Sequence, residues 1–160
     1  MIPGIGLPGG YVTFCDDIRQ ELGNKFTLAG VYTNEINIQG TAPTVLNKLC
    51  AQIVYRDDPA SFPKQVRFEI TRQDSGSHDV LPLFEADVEM PAQPTVDNFA
   101  TEFQIGEPAV PFAEARLNCT FPNLVFERDC RLRARAIING EECRLGALTV
   151  RLIEEELQGS

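Results

Sequence analysis

The chain has a single histidine, His78, in 160 residues, and none of its five cysteines stands in C-x-x-C spacing. A thiol nucleophile needs a base within reach, and one histidine in a polar stretch ("DSGSHD") offers little choice of base. The cysteines Cys15, Cys50, Cys119, Cys130 and Cys143 are odd in number and widely spaced. That argues against a zinc site and against a secreted disulfide framework, and a reduced cytoplasmic setting is the expectation. Bases are also scarce: 14 Lys and Arg against 23 Asp and Glu, a net charge of −9. Nucleic acid and anionic membrane surfaces both require a surplus of Lys and Arg, so neither is an expected partner. No apolar run reaches membrane-spanning length, and "MIPGIGLPGG" lacks the basic n-region of a signal peptide. Phosphate-loop, dinucleotide and serine-elbow signatures are missing; "GIGLPGG" follows no strand and opens no helix. No cofactor is expected.

What is present is a globular composition, 43% hydrophobic and 23% charged, in a chain long enough for one self-sufficient core. The expected organisation is a Gly/Pro-rich arm over 1–10, a single domain over 11–154 and a short tail over 155–160. Within the domain the period is two. "YVTFC", "KFTLAGVY", "EINI", "KLCAQIVY", "KQVRFEITR" and "LPLFEADVEM" read as strands, separated by breaks rich in Gly, Pro, Ser and Asp. "KFTLAGVY" and "EINI" are one long strand or two short ones. Residues 91–113 hold four prolines and predict a long connection with a short strand near Phe99–Ile105, the kind of crossover by which a Greek key changes sheets. "ARLNCTFPNLVFE" is a strand, or a strand pair broken at Pro122.

The sharpest local signal is Asn139-Gly140, a two-residue hairpin turn. It sets Ile138 opposite Glu141, Ala136 opposite Cys143, Ala134 opposite Leu145 and Leu132 opposite Ala147. The apolar face of that hairpin belongs to the core, and Cys130 is kept apart from Cys143. No stretch sustains a helical period. Seven to nine short strands predict an all-β, antiparallel, Greek-key-like sandwich, with a flattened barrel as the alternative. One helical turn is expected between the first two strands, with Asp17 as its N-cap, Gln20 three residues on, and Gly23 at its end.

Three constellations are candidates for chemistry. Cys15 with His78, the only histidine, is one thiol–imidazole pair, but Cys15 reads as a small buried hydrophobe in a strand. His78 with Asp74 and Asp79 reads as an ordinary solvated turn. If Lys25–Ile38 is one strand, loop parity brings Asp16 and Asp17 toward Asp57 and Asp58, with Glu141 and Glu142 near, and a hard cation such as Ca²⁺ would find carboxylate oxygens there. No EF-hand-type loop supports that cation site.

The charge stripes carry more. "FEADVEM" alternates Glu85, Asp87 and Glu89 with apolar residues, and "RLRAR" does the same with arginines. One expectation is that the two strands are neighbours joined by a ladder of cross-strand ion pairs. The other is that Arg131, Arg133, Arg135 and Arg144, an exception in an acidic chain, dock an acidic protein surface or another copy of the chain.

The stretch "CDDIRQELGNKFTLAGVY" resembles the opening of a bacterial family of unknown function. Its members have a strand ending Cys-Asp-Asp, an Arg and a Glu close behind, a Gly-Lys turn and a Gly-Val-Tyr strand. The matching residues are Cys15, Asp16, Asp17, Arg19, Glu21, Gly23, Lys25, Gly30, Val31 and Tyr32, with Asn24 inserted between the Gly and the Lys. "GALTVRL" sits where such proteins have their last strand. The resemblance implies a β-sandwich and brings no catalytic residues. The expected function is therefore a non-enzymatic binding or assembly module of the cytoplasm. Two alternatives stand beside it: a structural component of a phage particle or injection-type machine, located in the virion with the arm on a neighbour, and cation binding at the loop end.

Overall fold

A computed structural model of the chain describes residues 8–58, 65–89 and 113–154. These residues form nine strands: β1 (Gly9–Glu21), β2 (Lys25–Tyr32), β3 (Glu35–Gln39), β4 (Thr44–Asp57), β5 (Gln65–Asp74), β6 (Leu81–Glu89), β7 (Ala113–Phe126), β8 (Cys130–Ile138) and β9 (Glu141–Ile153). They make two sheets, ordered β2-β1-β4-β7 and β3-β9-β8-β5-β6. All pairings are antiparallel except β3 with β9, which is parallel. The fold is a β-sandwich.

The core lies between the sheets. Phe14, Leu49, Ile53 and Tyr55 of the first sheet meet Val66, Phe68, Ile70, Leu132, Leu148 and Val150 of the second. Alternation along each strand sends these side chains inward, and burying each large one contributes about 1.5–3 kcal/mol. Phe84 and Phe121 meet edge to face at 6.3 Å where the β6 and β7 edges of the two sheets approach. Pro122 is accommodated because β7 is an edge strand, where a missing ladder donor costs least. The strand continues through it, with Asn123 at φ 52°.

The helical turn, the far part of the last hairpin's register and the bound of the N-terminal arm are corrected, and "KFTLAGVY" with "EINI" takes the second of its two expected forms. The helical turn after Asp17 does not form: β1 runs on to Glu21, Asp17 pairs with Ala29 and Glu21 with Lys25. Gly23 (φ 82°) and Asn24 (φ 57°) close this first hairpin as a short loop, so the glycine taken for a helix end turns a strand pair. "KFTLAGVY" and "EINI" are two strands in different sheets, because the chain crosses over at Thr33–Asn34. The β8–β9 register holds from Ile138↔Glu141 to Ala136↔Cys143, then slips at a bulge, so Ala134 opposes Gly146 and Leu132 opposes Leu148. Gly9 and Gly10 belong to β1, paired with Arg56 and Tyr55, rather than to an arm. Residues 1–7, the tail 155–160 and the predicted strand near Phe99–Ile105 lie outside the described residues. The ends on either side of that last segment, β6 and β7, are in different sheets, as a crossover there requires.

Candidate functional site

The outer face of the second sheet is built by alternation in four strands. In "KQVRFEITR" the odd positions Arg67, Glu69 and Thr71 turn outward while Val66, Phe68 and Ile70 fill the core. In β6 it is Glu85, Asp87 and Glu89, and in β8 it is Arg131, Arg133 and Arg135. The acidic and basic stripes share a sheet, but β5 lies between them, so the direct ladder expected from β6 to β8 is not formed. Instead β5 relays it. The Arg67 guanidinium reaches Glu69 (3.0 Å), Glu85 (2.6 Å) and Asp87 (3.9 Å). Glu69 in turn accepts Arg135 through two nitrogens (2.8 and 2.6 Å), and Arg135 also reaches Glu142 (3.3 Å). Glu69 is only 7% exposed. Burial alone would raise its carboxyl; the Arg135 and Arg67 guanidiniums outweigh burial and hold it below its ordinary value of 4.5. Arg67 and Glu69 were the site residues that the charge stripes left out, although the period-two alternation of "VRFEIT" already marks them as a polar face.

The four candidate arginines therefore divide. Arg135 is committed to carboxylates of its own chain. Arg133 donates to the Gln73 side-chain carbonyl (2.9 Å), and neither it, Arg131 nor Arg144 has a carboxylate partner among the described residues. Arg144 stands directly opposite Arg135 across the β8–β9 pair. Like charges in that relation are destabilising, so the arrangement is kept against a local cost. The four arginines line a cleft of about 570 Å³ with Thr71, Val80 and Glu142, floored by Ala134, Gly146 and Ala147. The β8–β9 bulge lies beside Gly146, and the small side chains there keep the floor low.

The acidic candidates are not brought together. Asp17 lies beside Lys48 and Arg19 (Arg19 Nε at 2.9 Å), which hold its carboxyl below its ordinary range. Asp57 lies nine residues further along β4 than Lys48, roughly 30 Å away at strand spacing, beside the start of β1. There it accepts the Tyr55 hydroxyl (2.8 Å) and the Asp58 amide (2.7 Å). The crossover at Thr33–Asn34 adds a chain reversal before β4, which puts Asp57 and Asp58 at the opposite end of the sandwich from Asp16 and Asp17. Among the described residues no group of His, Cys, Asp and Glu is arranged to hold a metal ion. Asp74 is paired with Arg72 (2.8 Å), and the loop holding His78 is tied by Gln73 to the Ser77 carbonyl (3.1 Å).

The "CDD…GVY" residues form one hairpin. Phe14 pairs with Tyr32 and Cys15 with Val31, so Asp16 lies over Gly30. The Tyr32 hydroxyl donates to Asp16. Gly30 has φ 66°, and a Cβ there would come within 2.1 Å of the Asp16 carboxylate. Burial, and then the Asp16 contact, push the Tyr32 hydroxyl up to about 12. Cys15 is buried, its thiol pushed up to about 11 by burial and by Cys50 opposite it on β4.

A two-sheet all-β sandwich with a basic cleft on one outer face is thus the class that the geometry defines. The chain belongs to a family of unknown function (DUF6941), whose profile matches residues 10–151. No curated protein matches it. Among solved structures it is similar to the N-terminal domain of PorA, at 13% identity over 90% of this chain and 97% of that one, with a TM-score of 0.25. A likeness that low carries no argument about function.

Proposed function

We propose that this protein is a non-enzymatic binding module that docks an acidic protein surface through the arginine cleft of its second sheet. One observation carries the reading: Arg131, Arg133 and Arg144 converge on a single cleft without a carboxylate partner among the described residues, in a chain whose net charge is −9. Such a chain repels acidic partners everywhere else, so this patch sets where and in what orientation they arrive. The non-enzymatic part is supported by the buried thiols, of which Cys15, Cys119 and Cys130 have pKa values pushed up to about 11, 12 and 11, mainly by burial. It is supported also by the place of the single histidine, in the β5–β6 loop.

The test is binding of a poly-glutamate peptide, with poly-lysine as the control. The wild-type protein is expected to bind the acidic peptide and to release it as salt rises toward 1 M, where screening acts over about 3 Å. Arg133→Glu is expected to abolish binding while changing stability by about 0.5 kcal/mol or less, since among the described residues its hydrogen-bond partner is the neutral Gln73. Binding that survives both the salt and the reversal would sink the reading, as would a reversal that unfolds the protein.

A further inference from the structure

The outer face of the second sheet is electrically two-sided. On the β5–β6 half four carboxylates, Glu69, Glu85, Asp87 and Glu89, face one guanidinium, Arg67. On the β8–β9 half four guanidiniums, Arg131, Arg133, Arg135 and Arg144, face one carboxylate, Glu142, while Arg151 further along β9 is matched by Glu35 of β3 at 2.5 Å. The surplus on each half is three charges, of opposite sign. Strand register sharpens this. Glu85 pairs with Glu69, Glu69 with Arg135, and Arg135 with Arg144, so one row straight across four strands reads Glu85, Glu69, Arg135, Arg144. That row is two negative charges followed by two positive ones.

Such a row is complementary to itself. We infer that the acidic surface received by the arginine cleft is the β5–β6 half of a second copy of this chain, the two copies packed face to face about a two-fold axis. The inference rests on the docking reading above. The axis runs parallel to the strands, between β5 and β8. Rotation about it keeps each residue at its height along the strands and exchanges β5 with β8 and β6 with β9. Glu85 then faces the second copy's Arg144, and Glu69 faces its Arg135, twice over in an isologous interface. A two-fold axis across the strands would instead lay each strand on its own copy, acid on acid and arginine on arginine.

The next row, Asp87, Arg67, Ile137, Glu142, is less favourable, since it sets Asp87 against Glu142; Arg67 stands beside Asp87 to offset this. Arg144, opposed by a like charge in its own chain, gains the carboxylate it lacks. Val80 on the cleft rim, 51% exposed, adds apolar contact. The size is adequate. The four strands that face each other, about 4.8 Å apart and about nine residues long, give a face of roughly 570 Å², so two copies bury about 1,150 Å² in all, above the roughly 1,000 Å² that a specific interface needs.

Light scattering or sedimentation of the full chain tests the pairing. Wild type is expected at twice the chain mass in 0.15 M salt and at the chain mass in 1 M salt. Arg144→Glu and Glu85→Arg are each expected to give the single-chain mass at 0.15 M salt. The double variant Glu85→Arg with Arg144→Glu is expected to return to twice the chain mass, because the swapped charges again face each other. Circular dichroism should give Arg144→Glu the wild-type spectrum, and in 1 M salt, where wild type is single too and surface charges are screened, the two should melt alike. A wild type at single-chain mass in low and in physiological salt overturns the inference, and so does a double variant that stays single. If self-pairing fails in this way while poly-glutamate still binds in an Arg133-dependent manner, the docking reading stands with a different partner. If neither is seen, both fall.

Discussion

Asp16 and Gly30 show how a residue that looks chemical can be structural. The carboxylate lies over the Gly30 Cα and accepts the Tyr32 hydroxyl, so the paired "CDD" and "GVY" segments close the first hairpin. A side chain at position 30 would meet the carboxylate and would also take a left-handed φ that costs an L-residue about 1 kcal/mol or more. Gly30→Ala is expected to lower the unfolding free energy by about 1–3 kcal/mol in urea titration. Adding Asp16→Ala should return part of that loss, because the two changes share one contact. Equal and additive losses would show that the backbone alone demands the glycine. Residue types were thus legible and their roles only partly so. Asp17 has the right chemistry for a helix cap, but it is held in a strand by its pairing with Ala29 and reaches Lys48 on β4, a neighbour 31 positions away that local spacing does not reveal.

Among the strands, β5 is the one that decides the charged face. It separates the two stripes, and Glu69 at its centre joins Arg67 to Arg135. Its carboxyl is held below its ordinary value in the folded chain, so folding disfavours its protonation. The stabilisation from Glu69 is therefore complete above about pH 4.5 and is lost as pH falls through the lower folded value. Unfolding titrations between pH 6 and pH 3 are expected to show falling stability, with a shallower fall in Glu69→Gln. At pH 7 that variant should be less stable by about 1–3 kcal/mol, since two arginines lose a buried acceptor. A variant with the wild-type pH profile would remove Glu69 from this role. Strand existence was readable because alternation needs no knowledge of neighbours, and so was the Asn139-Gly140 turn. Strand order was not: β6 and β8 carry complementary charges, yet nothing in their own residues says that β5 stands between them. The β8–β9 bulge was equally hidden, since one extra residue in a strand changes the partner of every residue beyond it while leaving the local pattern intact.

For the molecule as a whole, thiol chemistry should be quiet. Four of the five cysteines are buried and Cys143 is half-buried, and all five are free. Burial pushes Cys15 and Cys130 up to about 11, which means about a hundredfold less thiolate at a given pH than for a thiol at its ordinary value of 9.0, before access is counted. Iodoacetamide at pH 8, followed by mass spectrometry, is expected to modify Cys143 first and the others only after denaturant is added. Rapid native labelling of Cys15 would contradict the buried hairpin described above.

Among the nine described strands, five of the eight steps from one strand to the next change sheets and three are hairpins, β1–β2, β5–β6 and β8–β9. Each sheet must therefore gather strands distant in sequence: β7 joins β4, β8 joins β5, and β3 lies along β9 at the far end of the chain. Closing those loops costs entropy before any pairing repays it, which places such folds on the slow side of the kinetic range. The two hairpins of the second sheet are the pieces able to form early. Until β8 finds β5, the row of acids and the row of arginines belong to separate fragments, and their attraction acts as a guide for assembly within one chain before it is available between two.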